Sequence, residues 1–469
     1  MKSIIASVND IVWGAPALIL ILSVGLYLSF RLRFAQIAFF PEALKLFCCQ
    51  FLPGKNGKQD SSFQALCAAL AATVGTGNLV GVAGAICLGG PGAVFWMWIC
   101  GILGMITKYA EASLSVRYRV KTPEGYMGGP MYMISLGLPG KFHILAYVYA
   151  FLGVIASFGV GNVTQIDAAI AGINEFCSVI GWNTGETTDF LLSVLLATVI
   201  GIFLFGGAKR IYRAAEQLVP FAAAGYILLC LGVLLLKWRQ LPEVFFQIFQ
   251  GAFSPRSVTG GLIGSGFQAL RTGCSRGVFT NEAGMGTASI AHAGAEGVHP
   301  VRQGMMGIME VFLDTIVICT MTALVILVSG VPVPYGTDAG AHLTSGAFCA
   351  LYGPGAALWL AAVMTLFAVA TVIGWGLYGA RCAEFLFGRK AWRYFATLQL
   401  VAILAGSLLE TPVIWQLAET VNGLMAIPNL TTLAALTPEL VRLTKDYKKT
   451  GRIQAGGGNY ANFHQCKPL

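Results

Sequence analysis

Charge is what this sequence is short of. Only 11% of its 469 residues are Asp, Glu, Lys or Arg, against about a quarter in a soluble globular protein. A soluble fold covers its surface with polar groups, so this composition excludes one. Groups for catalysis are also sparse. There are 5 histidines and none lies in an apolar helix. No nucleophile–base pair or metal cluster stands at one depth, so a membrane enzyme has little support. The 12 cysteines form no CxxC and no Cys/His spacing suited to zinc. Most, such as Cys67, Cys87, Cys100, Cys230 and Cys319, sit in apolar runs as buried small hydrophobes do. No GxxxxGKS/T loop is present, which disfavours an ATP-driven pump. The formal net charge is +9, yet no Lys/Arg cluster is interleaved with aromatics, so nucleic acid is not a partner.

Apolar runs are what the sequence has. Residues 61–107 and 339–380 carry no charge. One spanning helix takes about 20 apolar residues, so each run is long enough for two. The turns are GGPG at residues 89–92 and GPG at residues 353–355. Residues 11–30 are uncharged and end at Arg31 and Arg33 without a small-residue cleavage site. That predicts a retained spanning helix. Eleven spans are expected, near residues 10–30, 63–88, 92–118, 142–171, 190–207, 215–236, 257–287, 307–330, 356–387, 394–410 and 413–436. The chain is thus an all-α polytopic membrane protein in contact with the lipid bilayer. Residues 34–50, with Glu42 and Lys45 among apolar side chains, form either an interfacial helix or an ordinary loop helix.

Basic residues set the orientation. With these spans, 23 of the 30 Lys and Arg fall on one side, among them Arg31, Arg117, Lys209, Arg381 and Lys448. That side is the cytoplasm, so the N-terminus is outside and the C-terminus inside. The basic, Gly-rich end (AGGGNY) reads as a flexible tail.

Two spans contain backbone that should not stay helical. One reads AATVGTGNLVGVAGA from Ala71 and the other VTGGLIGSGFQALRTG from Val258. Each interior Gly costs a helix about 1 kcal/mol relative to Ala. Glycines that let helices pack closely explain Gly81 and Gly84, but explain VGTGN less well. With the first helix set aside, these spans are numbers one and six of ten. They correspond in two five-helix halves of opposite orientation, the pattern of a transporter's midplane site. A half-helix N-terminus suits a carboxylate, and freed carbonyls with Thr or Asn oxygens suit sodium. A small amino acid plus a cation is the natural ligand set.

Other polar residues lie at membrane depth. Lys108 and Glu111, three apart, suggest an ion pair. Asn162 and Gln165 share a face and Asp167 lies beyond them. Gln165 is expected to face a ligand. Arg276 and Glu282 suggest a pair or a helix cap near the cytoplasm. Thr371 and Trp375, four apart, share a face of the ninth span.

ATVGTGNLVGVA (residues 72–83), GGPMYM (128–133), GVGNVTQ (159–165), SRGVFTNEAGMGTA (275–288) and FAVATVIGWGLYG (367–379) resemble the alanine/glycine:cation symporter family. The resemblance runs in order through nearly the whole chain. It implies a leucine-transporter-like fold of inverted five-helix repeats behind one extra N-terminal helix. The divisions would be 1–62 (first helix and basic segment), 63–236 (first repeat), 257–436 (second repeat) and 437–469 (tail). It further implies a secondary symporter of the cell membrane. Such a protein imports alanine, and also glycine or D-alanine, with sodium as co-transported ion and no cofactor. A proton-coupled transporter or a channel is the alternative, although no filter motif is seen. By position, Thr76 and Gly77 would hold the substrate carboxylate and Asn78 would support the turn. Gly161 and Gln165 would touch the substrate, Phe267 would pack over it, and Thr371 and Trp375 would close the pocket. Sodium would use Ala71, Val74 and Thr371. The chain departs from the family's pattern at residues 376–380, at Asp167 and at Thr280.

Overall fold

The computed structural model of the protein describes residues 15–51, 61–123, 125–337, 340–406 and 411–450. The expected contributions of Lys2, Lys55, Lys58, Arg452 and Lys467 lie outside them. Backbone in lipid must satisfy its own polar groups, and these segments do so as helices. They are α1 (Ala15–Arg31), α2 (Phe40–Cys48), α3 (Ser61–Thr73), α4 (Val80–Gly89), α5 (Gly92–Arg117), α6 (His143–Phe158), α7 (Thr164–Val179), α8 (Glu186–Leu204) and α9 (Gly207–Leu236). Then follow α10 (Leu241–Phe253), α11 (Gly266–Asn281), α12 (Pro300–Val311), α13 (Thr320–Val328), α14 (Gly340–Tyr352), α15 (Ala356–Phe387), α16 (Ala391–Gly406) and α17 (Thr411–Thr450).

Among the described residues, seven helices are long and apolar enough to cross a membrane. The pair α3 and α4, bent by 62°, makes an eighth crossing if it is one span. α1, α11 and α16 occupy the other three expected spans and are shorter. The GGPG turn lies where expected. Gly90, at φ +72°, ends α4, and α5 begins two residues later. Gly92 is required for a second reason. A Cβ there would lie 2.1 Å from the Gly251 carbonyl carbon, so α5 and α10 touch backbone to backbone.

The structure departs from the sequence reading in several places. α10 lies in what reads as a loop. A two-stranded hairpin pairs Val120 with Met127 and Thr122 with Gly125. α17 continues as helix to Thr450, so residues 437–450 are not an open tail, and Leu440 and Leu443 are buried. α2 docks on its end, where the Tyr447 hydroxyl donates to Glu42 at 2.7 Å.

Packing sets the site. α5 lies against α11 and α12, α15 against α6 and α7, and α3 against α9. α1 stands beside α5 and α17, outside this centre. The Lys108–Glu111 expectation is corrected here. Lys108 Nζ instead reaches Glu310 on α12, at 3.0 Å, and both side chains are buried. The facing helix offers a carboxylate at the right depth. Glu111 accepts from the backbone N–H groups of Gly284 (2.9 Å) and Gly286 (3.1 Å) and from Asn429 Nδ2 (2.7 Å). Glu310 also meets His292 Nε2 at 2.9 Å, and His292 Nδ1 meets Gln303 Nε2 at 2.7 Å.

Candidate substrate and cation site

The first break lies where GTGN predicts it. α3 stops at Thr73, one tight turn spans Thr76–Asn78, and α4 resumes at Val80. Two features hold the turn open. Asn78 Oδ1 accepts from the Gly75 N–H at 2.9 Å, taking the place of a helical carbonyl. Asn78 Nδ2 donates to the Asp314 carboxylate at 2.7 Å. Leading N–H groups of a helical turn lack partners within it, and trailing carbonyls lack donors. Here the two kinds of end face each other across four residues. Thr76 and Asn78 are buried, whereas Gly77 between them is partly open.

The neighbouring helices close on this turn. The Thr76 hydroxyl donates to Gln165 Oε1 at 3.0 Å, and Gln165 Nε2 donates to the Val160 carbonyl at 3.1 Å. That carbonyl is free for a side chain because residues 159–163 form a π-helical turn. Thr371 Oγ1 lies 3.5 Å from the Val74 carbonyl oxygen. A Cβ on Gly75 would sit 2.7 Å from the same hydroxyl. α15 approaches the end of α3 so closely that a Cβ on Gly374 would meet Ala72 N at 2.8 Å. The Val74 carbonyl, just past the end of α3, thus faces the Thr371 hydroxyl, and Ala71 lies in the last turn of α3. Trp375 is fully buried, one turn on, and stacks on Gly161.

A Cβ on Gly161 would lie 2.2 Å from Trp375 Cβ and Cγ. Gly161→Ala should therefore cost about 1–3 kcal/mol in overpacking and reduce uptake at least about tenfold by moving the indole. Gly172→Ala, whose nearest Cβ contact would be Met364 Sδ at 3.4 Å, an ordinary van der Waals distance, should leave uptake near wild type. Parallel uptake assays check both.

The second break is not where glycine density suggests. Residues 260–265 are irregular, but Gly260, Gly261, Leu262, Gly264 and Ser265 are exposed. Phe267, expected over the substrate, is 63% exposed at the first turn of α11. The reason is helix length. Phe279 lies 12 residues further on, about 18 Å along the axis, and its ring approaches Gly77. The break beside the first one is residues 281–286, where Glu282 (φ +53°), Gly284 (φ +97°) and Gly286 (φ +81°) turn the chain. Glu282 caps the end of α11, one of the two roles that its sequence position suggests. Its Oε1 accepts from Trp375 Nε1 at 3.0 Å, and its Oε2 accepts from the Thr287 hydroxyl at 2.5 Å.

Thr76, Gly77, Asn78, Gly161, Gln165, Thr371 and Trp375 are therefore one cluster, joined by Val74. Phe267 stands apart. Three groups escaped the sequence reading: Phe279, Glu282 as the partner of Trp375, and Asp314. A lone Asp in the apolar stretch Phe312–Cys319 is the signal that could have found the last.

Broken helices whose free ends meet at the centre of a helical bundle define a secondary transporter of the leucine-transporter type. The solved structure of MhsT in complex with L-phenylalanine shares this fold. The TM-score is 0.57 at 14% identity, over 81% of this chain and 97% of that one. The chain belongs to the sodium:alanine symporter family, whose model matches residues 1–458. It is a multi-pass membrane protein in a family of transporters, not enzymes. The sodium/alanine symporter AgcS of Methanococcus maripaludis is 42% identical over 97% of this chain and 98% of its own. A Bacillus subtilis protein named "Probable sodium/glutamine symporter GlnT" is 35% identical over 96% of this chain and 92% of its own.

Proposed function

We propose that this protein imports a small neutral amino acid, alanine foremost and also glycine or D-alanine, with sodium, by alternating access. The observation that carries this reading is the partly open Gly77 among buried residues at the first break. The backbone N–H groups of Thr76 and Gly77 bind the carboxylate, as helix N-termini bind anions. Asn78 keeps that turn unwound. Gly161 and Gln165 border the amino acid from one side, and Thr371 and Trp375 close it from the other. Phe279, beside Gly77, is placed to cover the side chain. Sodium takes the Ala71 and Val74 carbonyls, at the negative end of a half-helix, with the Thr371 hydroxyl of α15, all hard oxygens. The indole of Trp375, wedged on Gly161, limits side-chain size, which favours alanine over glutamine. The chain resides in the cell membrane with its N-terminus outside and its C-terminus in the cytoplasm.

Uptake of labelled L-alanine into proteoliposomes tests this, with sodium replaced by choline and with glycine, D-alanine, serine and glutamine as competitors. Sodium-dependent uptake that glycine and D-alanine compete for, and glutamine does not, is expected. A methyl group changes affinity by only about 1–3 kcal/mol, so these small competitors should rank within about two decades. Absence of uptake of any small amino acid under either a sodium or a proton gradient would sink the proposal.

A further inference from the structure

Two adjacent residues after α1 hold a backbone conformation that side chains disfavour. Arg33 (φ +55°) and Phe34 (φ +53°) are both left-handed, although neither is glycine. A buried frame keeps them there. The Phe34 N–H donates to the Ser29 carbonyl at 2.7 Å, and Gln36 Nε2 donates to the Ser29 hydroxyl at 2.9 Å. Ser29 and Gln36 are buried, whereas Arg33 and Phe34 are exposed. Backbone strain of this kind persists where function calls for it. The surroundings of the elbow are amphipathic. Phe30 meets Phe34 edge-on, with ring centroids 5.4 Å apart, and Phe30, Ile37, Leu44 and Phe51 are exposed as well. Arg31 and Lys45 are also exposed. Among the described residues no carboxylate pairs with Arg31, Arg33 or Lys45. Glu42 on α2 is taken by the Tyr447 hydroxyl. Apolar side chains beside unpaired cations, at the end of a spanning helix, match the level where acyl chains meet charged headgroups. The same segment touches the transport machinery. Phe40 meets Phe312 at 4.8 Å, and Phe47 and Phe51 lie 6.3 and 5.5 Å from Phe63 on α3.

We infer that the elbow and α2 form a binding surface for an anionic phospholipid of the cytoplasmic leaflet, and that the bound lipid supports transport. Arg31, Arg33 and Lys45 take the phosphate, and Phe30, Phe34 and Ile37 lie among the acyl chains. Residues 34–50 then form an interfacial helix rather than an ordinary loop helix. The coupling to transport runs through the aromatic rings. A lipid that anchors α2 also anchors the start of α3, the half-helix that leads to the first break. Without the lipid, nothing outside the protein offsets the strain at residues 33–34, and α2 holds Phe63 less firmly.

This inference rests on the symport reading for its uptake measurement, and a second measurement separates the two. The full-length protein is reconstituted in phosphatidylcholine vesicles with increasing fractions of phosphatidylglycerol, and sodium-driven alanine uptake is followed. Phosphatidylglycerol retained by the purified protein is counted by mass spectrometry. Wild-type uptake should rise with phosphatidylglycerol. A triple variant, Arg31→Gln, Arg33→Asn and Lys45→Gln, should need at least about fivefold more of the lipid for half of that rise. It should also retain less of it. Asn serves at position 33 because it tolerates the left-handed conformation. Arg389→Gln, Lys390→Gln and Arg393→Gln together neutralise exposed basic residues elsewhere on the same side, and should leave the lipid response as in the wild type. An equal loss in that control would mean diffuse surface charge and overturn the site. A wild type indifferent to phosphatidylglycerol overturns it too, as does an unchanged response in the first triple variant. The same rise on adding glycerol phosphate to phosphatidylcholine vesicles would overturn the membrane as the source. Should the triple variant not fold, Lys45→Gln alone should lower lipid retention, and unchanged retention contradicts the assignment. No alanine uptake in any lipid, with retention still lost in the triple variant, refutes the symport reading and upholds the lipid surface.

Discussion

Gly77→Leu should yield a protein that inserts and folds, yet takes up alanine at less than about one hundredth of the wild-type rate. That is a loss above about 2.7 kcal/mol. The structure separates folding from function at this residue. The nearest atoms to a Cβ at position 77 would be Thr280 Cγ2 at 3.5 Å and the Phe279 ring at 3.9 Å, which is ordinary contact. Gly77→Ala therefore fits and should show an intermediate loss. The rest of a leucine side chain has to enter the opening proposed for the substrate carboxylate. Uptake and thermal unfolding of the purified variants are the measurements. Retention of more than about a tenth of wild-type uptake by Gly77→Leu would place the carboxylate elsewhere.

Lys108→Met should destabilise the protein by about 3–5 kcal/mol, because it leaves the Glu310 carboxylate buried without its ammonium. Adding Glu310→Gln removes that charge and keeps a polar partner for His292, so the double variant should recover most of the loss. Contacting residues are non-additive in this way. Adding Glu111→Gln instead should not rescue, since the Glu111 carboxylate is held by the Gly284 and Gly286 N–H groups and Asn429. Thermal midpoints in one detergent compare the variants. Rescue by Glu111→Gln but not by Glu310→Gln would return the ion pair to the spacing that the sequence suggests.

Those two residues show what a sequence can and cannot display. Hydropathy marks most of the spans because lipid imposes a local rule on long apolar helices, seven of which meet it among the described residues. VGTGN announced a break because two glycines bracket a polar residue within apolar sequence. The partner of Lys108 was hidden, because helix register across α5 and α12 is set by packing between distant segments. The second break lies away from the GSG sequence for a related reason. GSG at residues 264–266 is as glycine-rich as the first break, yet Gly264 and Ser265 lie exposed at the start of α11. NEAGMG forms the break, and its first positive-φ residue is a glutamate. Glycine density alone cannot tell a turn at the membrane surface from one at its centre. Phe267 follows GSG and is exposed with it, whereas Phe279 lies beside Gly77.

The central claim is that backbone N–H groups at residues 76–77 hold an amino-acid carboxylate. Competition of alaninamide with labelled alanine, in sodium, on the purified protein tests it most directly. Alaninamide keeps the methyl and amino groups but replaces the anion with a neutral amide. Hydrogen bonds to an ionised acceptor are roughly twice as strong as neutral ones. Alaninamide should therefore compete at least about a hundredfold more weakly than alanine, whereas D-alanine and glycine remain competitors. Equal competition by alaninamide and alanine would contradict the claim.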